Sequence, residues 1–186
     1  MEIIENPVIG EKITFLTSSK QSKGEKTLME IYLSPKGGNP LHYHKRFSET
    51  FKVMEGELNV QVGKEIKKLN PGDSATAQIL ERHRFFNTSG KPAVFTCELT
   101  PGSEGFENVL RIGCGLARDG KAARNGMPKS IIHMAILMSI GEGYFVGVFS
   151  FFEKLFRAIA HTKKAKRIEK ELLDKYCKSP LPLTLN

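Results

Sequence analysis

"ELNVQVGKEIKKLNPGDSATAQI", residues 57–79, decides the fold class. Leu58, Val60 and Val62 alternate with Asn59 and Gln61, the two-residue period of a strand with one buried face. Gly63-Lys64 makes a two-residue turn, and Ile66 follows in a return strand. "NPGD" (70–73) sets proline at the second position of the next turn and leads into Ala75, Ala77 and Ile79. Toward the N-terminus, "EKITFLTSS" (11–19) places Ile13 and Phe15 on one side. "LMEIYLS" (28–34) does the same with Met29, Ile31 and Leu33 before "PKGG" breaks it. Toward the C-terminus, "HRFFN" (83–87) and "AVFTCEL" (93–99) supply further strands across "TSGKP". So many short strands with no helical period between them predict an antiparallel barrel or sandwich. A doubly wound sheet would need crossover helices, for which there is no room.

Beyond "TPGSEG" (100–105) the pattern changes. "LRIGCGLARDGKAARNGMP" (110–128) is glycine-rich and reads as a loop with one short helical piece, covering a barrel mouth. "SIIHMAILMSI" (130–140) is apolar nearly all round, and "GEG" interrupts it. A helix is then expected to resume, with Phe145, Phe149, Phe152, Phe156 and Ile159 at three- and four-residue steps and Ile168, Leu172 and Tyr176 continuing, until Pro180 and Pro182 close it. The expected division is therefore a β-barrel over 1–105, a connecting loop over 106–130 and a helical extension over 131–186.

A chain of 186 residues buries a core without staples, and this length allows one domain plus an appendage. Cys97, Cys114 and Cys177 are odd in number, widely spaced and form no C-x-x-C pair. With no signal-peptide pattern in "MEIIENPVIGEK", they predict a reducing, cytoplasmic setting. Residues 153–178 hold nine basic and four acidic side chains, so most of the net charge of +8 belongs to this tail. Glu169, Glu171 and Asp174 interleave with its lysines, which predicts a solvated face and no nucleic-acid partner. For the apolar part, helices packed on the barrel or in a dimer interface are favoured over membrane association through residues 131–160. A span over 131–152 would hold Glu142 near its centre, at about 2.5–3.5 kcal/mol on insertion scales.

One segment carries chemistry: "PLHYHKRFSETFKVMEG", residues 40–56. His42 and His44, two apart on a strand, point to the same side. Glu49 follows after a bend and Gly56 ends the next strand, while His83 and Asn87 lie further on. Three imidazoles and one carboxylate suit zinc, iron, manganese, nickel or cobalt better than calcium or magnesium. Tyr43, Phe47, Phe51, Phe85 and Phe86 flank these positions and read as barrel core. Arg82 and Arg84 bracket His83 and should point away from it. Glu49 is the one carboxylate expected at the site, and no nucleophile elbow, phosphate loop or dinucleotide fingerprint is present.

At these residues the chain resembles the cupin superfamily, specifically its small single-domain conserved-barrel members. Their first motif reads G-x5-H-x-H-x3,4-E-x6-G, and His42, His44, Glu49 and Gly56 stand at those intervals. Their second reads G-x5-P-x-G-x2-H-x3-N, matched by Gly72, His83 and Asn87. Lys36 replaces the first motif's leading glycine, and Gln78 and Leu80 replace the second motif's proline and glycine, all turn-shaping positions. The resemblance covers roughly residues 10 to 100 and implies a double-stranded β-helix, or jelly-roll, barrel. It implies one divalent transition metal (iron, manganese, zinc or nickel) held by His42, His44, Glu49 and His83. A small-molecule ligand or substrate and a homodimer are implied as well. The expected activity is a dioxygenase-type oxidoreductase, with a non-catalytic sensing module docking through its tail as the alternative.

Overall fold

The alternating segments form strands. A computed structural model describes residues 1–146 and 152–178, the Phe145 side chain excepted. Eleven strands lie within those residues: β1 (Glu2–Asn6), β2 (Glu11–Thr17), β3 (Thr27–Leu33), β4 (His42–His44), β5 (Ser48–Glu55), β6 (Leu58–Val62), β7 (Glu65–Leu69), β8 (Ser74–Ala77), β9 (His83–Phe86), β10 (Ala93–Thr100) and β11 (Gly143–Phe145). They pair antiparallel into two sheets, ordered β1-β2-β3-β10-β5-β8 and β11-β4-β9-β6-β7. Consecutive strands repeatedly cross from one sheet to the other, which makes the body a jelly-roll barrel. Its interior is apolar, with Phe51, Phe85 and Phe95 packed ring to ring at its centre. Ala75 and Ala77 point inward as the alternation predicts, but Ile79 falls beyond the end of β8 and is exposed.

The turns keep the shape that the motif requires even where its residues are missing. Lys36 and Leu80, at the two vacant glycine positions, both take left-handed backbone, with φ of 66° and 68°. Gly56 shows why glycine persists elsewhere. At φ of 73°, a Cβ there would lie 2.3 Å from the Pro92 carbonyl oxygen.

The expected loop over 106–130 is corrected in its first half. Glu104–Arg118 is a helix, α1, capped by the Ser103 side chain, which accepts from the Phe106 amide. Two of its three glycines are packing sites: a Cβ on Gly115 would meet the Tyr176 ring at 2.2 Å, and on Gly105 the Ile140 carbonyl oxygen at 2.2 Å. Close helix contacts therefore account for the composition that suggested a loop. Residues 119–130 do form turns, with one bridge between Ala122 and Pro128.

Three more helices follow: α2 (Ile131–Ile140), α3 (Glu153–Ala160) and α4 (Lys163–Tyr176). The expected continuous stripe from Phe145 does not form at its start, because Gly143–Phe145 is β11, paired with β4 across Gly143 and His44. Phe149 lies outside the described residues, as do Pro180 and Pro182. Ile112 and Leu116 of α1, Ile136 and Leu137 of α2, and Leu172 and Tyr176 of α4 share one apolar cluster. Phe156 and Ala160 of α3 bury against Ala135. α2 ends at Gly141 after ten residues, and no described helix is long and apolar enough to cross a membrane.

Candidate metal centre

β4 and β9 pair with His42 opposite His83, and His44 lies on the same face two residues along. Glu49 comes from β5 in the other sheet, so the cluster bridges the two walls of the barrel. All four side chains are buried, His42 the least at 8% exposed. One donor atom from each lies within 4.8 Å of the other three. Donors about 2.1 Å from a common ion stand roughly 3–4 Å apart, so the widest pair, at most 4.8 Å apart, closes by roughly 1–2 Å to hold one.

The rings are fixed from behind. Nδ1 of His42 donates to the Pro40 carbonyl at 2.8 Å, that of His83 to Glu81 at 2.9 Å, and that of His44 to Glu142 at 3.4 Å. A carbonyl oxygen only accepts, so each Nδ1 carries the hydrogen, and in a neutral imidazole Nε2 is then a bare lone pair. These lone pairs face a carboxylate. His83 Nε2 is 3.1 Å from one oxygen of Glu49, and His44 Nε2 is 3.4 Å from the other. His44 Nε2 and Glu49 Oε1 have no hydrogen-bond partner among the described residues despite full burial.

The electrostatics suit a cation. Burial, reinforced by His83 and His44, drives His42 down to about 3, so it is neutral at any ordinary pH. Burial alone would raise Glu49, but the imidazoles of His44 and His83 beside it outweigh burial and hold the carboxyl well below its usual range. Burial also works against a proton on His83, yet the hydrogen bond and charge of Glu49 win and raise it. One proton relieves one such pair, whereas one divalent ion relieves all four donors.

The flanking residues divide as follows. Phe47 stacks on the His44 ring at 4.3 Å, and Phe106 from α1 meets both rings edge-on. Phe51 and Phe85 are core, and Phe86 is partly exposed under the Arg84 guanidinium. Tyr43 turns away and stacks on Tyr144 of β11. Arg84 donates to Gln61, and Arg82 is exposed; neither is among the ligand cluster. Asn87 is no ligand: it organises the next turn, donating to the Lys91 carbonyl and accepting from Ser89.

Beside the cluster lies a cavity of about 220 Å³, most of its wall apolar. His42 and His44 lie on one side, and Phe106, Leu110, Met134 and Met138 of α1 and α2 line the other. One carboxylate in this wall is missing from the sequence reading: Glu11, at the start of β2. Ile13 and Phe15 mark the inward face of that strand, and one more step of two reaches Glu11. Burial alone pushes its carboxyl up to about 7.

Comparison with known proteins agrees with this architecture. Residues 29–98 match the family model described as Cupin domain. KdgF from a Halomonas species superposes with a TM-score of 0.50 at 13% identity, over 56% of this chain and 89% of that one. An RmlC-like cupin from Shewanella frigidimarina gives 0.49 at 25% identity, over 57% and 89%. A protein with a double-stranded beta-helix domain from Klebsiella pneumoniae gives 0.43 at 21%, over 48% and 75%. No curated protein sequence matches this chain.

Proposed function

Because residues 29–98 match the Cupin domain model, we propose that this protein binds one divalent transition metal through His42, His44, Glu49 and His83 and acts on a small organic molecule in the adjoining cavity. What carries the proposal is the convergence of three Nε2 atoms and one carboxylate, all buried and within 4.8 Å, with two of those atoms lacking hydrogen-bond partners among the described residues. When bound, iron or a similar ion with four protein ligands keeps coordination positions open for substrate or dioxygen, and an oxygenase is the enzymatic form we favour.

The chain's own groups do the rest. The carbonyls of Pro40, Glu81 and Glu142 hold the three rings in one tautomer and orientation. Phe47 and Phe106 keep water off the cluster, and the α1–α2 wall encloses the ligand. A homodimer and a cytoplasmic setting belong to the same proposal; light scattering reads the first, and the three unpaired thiols agree with the second.

Elemental analysis of protein purified without added metal tests it. About one equivalent per chain is expected, falling below about a tenth in His44→Ala, since losing one of few ligands costs far more than a tenfold change in affinity. Wild-type protein that is metal-free and takes up no iron, manganese, zinc or nickel overturns it. Dioxygen uptake by the iron-loaded protein with enols, diketones and catechols then separates an oxygenase from a binder.

A further inference from the structure

Glu11 stands where an apolar chamber would ordinarily have another leucine. It lines the same cavity wall as Phe106 and Leu110 and shares the chamber with His42 and His44. The Glu11 side chain is partly buried, and among the described residues its carboxyl has no hydrogen bond and no ion pair. A carboxyl set in a mostly apolar wall with no protein partner is left to whatever enters the chamber.

We propose that Glu11 is the specificity-determining residue of this cavity, hydrogen-bonding a hydroxyl or carbonyl group on a small, largely apolar molecule whose other end meets the histidine cluster. This deepens the proposed function and rests on its reading of the cavity as the ligand chamber, but it does not depend on which metal, if any, is bound. Size limits the ligand. A cavity of roughly 150 Å³ already accepts benzene, so one of about 220 Å³ takes a single substituted ring or an equivalent branched chain. Charge limits it too. A carboxyl that keeps its proton to about neutral pH favours an uncharged hydroxyl or carbonyl partner over a second anion.

The isosteric pair p-cresol and p-xylene tests this by calorimetric titration of the whole protein at pH 6.5. Wild-type protein should bind p-cresol about tenfold more tightly, the worth of one hydrogen bond in a dry site. Glu11→Gln, which can still donate and accept, should keep most of that preference. Glu11→Leu should bring the two probes within about twofold, through loss of p-cresol affinity with p-xylene binding kept, and Glu11→Ala repeats the measurement without added bulk. Equal affinities in the wild type, no binding of either probe, or a preference that survives in Glu11→Leu overturns the proposal. Metal content measured on the same samples separates the two readings: Glu11 variants should carry as much metal as the wild type, whatever that amount is.

Discussion

At the scale of single residues, Lys23, Lys36, Leu80 and Glu142 occupy left-handed backbone that disfavours side chains. Leu80 sits at φ of 68° with most of its surface in solvent, so its side chain returns little burial for the strained conformation. Leu80→Gly should raise the unfolding free energy by about 1 kcal/mol, read as a higher urea midpoint at unchanged slope. A neutral or lower midpoint would mean that the turn is not held left-handed. Glu11 makes the second residue-scale prediction. Unfolded, it ionises near 4.5; folded, it holds its proton to about 7. The folded state therefore binds the extra proton between those values, and stability falls as pH rises through that window, by roughly 1–2 kcal/mol for a carboxyl that is only partly buried. Glu11→Gln should flatten the fall between pH 5 and 8, and parallel curves for variant and wild type would count against it. The shared face of His42 and His44 was legible from spacing, because a step of two on a strand fixes it, whereas Glu49 and His83 joined the set through the family resemblance. Glu11 was not: an acidic residue at the start of a strand looks like its solvent-facing end, and only the closing of the barrel turns that position inward.

Individual elements show where composition misleads. Gly113 and Gly115 lower helix propensity, and so a loop was expected where α1 runs. Tertiary contact overrides the propensity, because Gly115 lets the Tyr176 ring of α4 approach the helix backbone, where the Tyr176 hydroxyl donates to Asp119 at 2.7 Å. Gly115→Ala should gain helix propensity in isolation yet lose about 2 kcal/mol in the whole chain, since the ring must move off α1. Thermal unfolding followed by circular dichroism reads the sign, and a stabilised variant would mean the contact is dispensable. The strands, by contrast, were legible nearly throughout, since each alternation was bounded by a turn with recognisable chemistry. β11 escaped because three residues between apolar stretches carry no period of their own; it exists through pairing with β4.

The whole molecule is less divisible than its sequence suggests. A barrel over 1–105, a connector and an extension were the expected parts, yet α1 and α2 wall the chamber next to the histidines, and Glu107 of α1 accepts from the Ser19 amide and the Thr27 hydroxyl at 2.6 and 2.8 Å. The last hydrogen-bonded neighbour of the strand bearing His42 and His44 comes from residues 143–145. A chain ended at residue 130 should lose metal along with solubility, the first measured by elemental analysis and the second by light scattering. Retention of both would show that the barrel stands alone. If β11 is what hems that margin, then whatever tugs on the distal third of the polypeptide also tugs on two imidazoles. Grip on the ion and the anchoring of the tail become one equilibrium, so occupancy of the centre should slow proteolysis far downstream in the sequence.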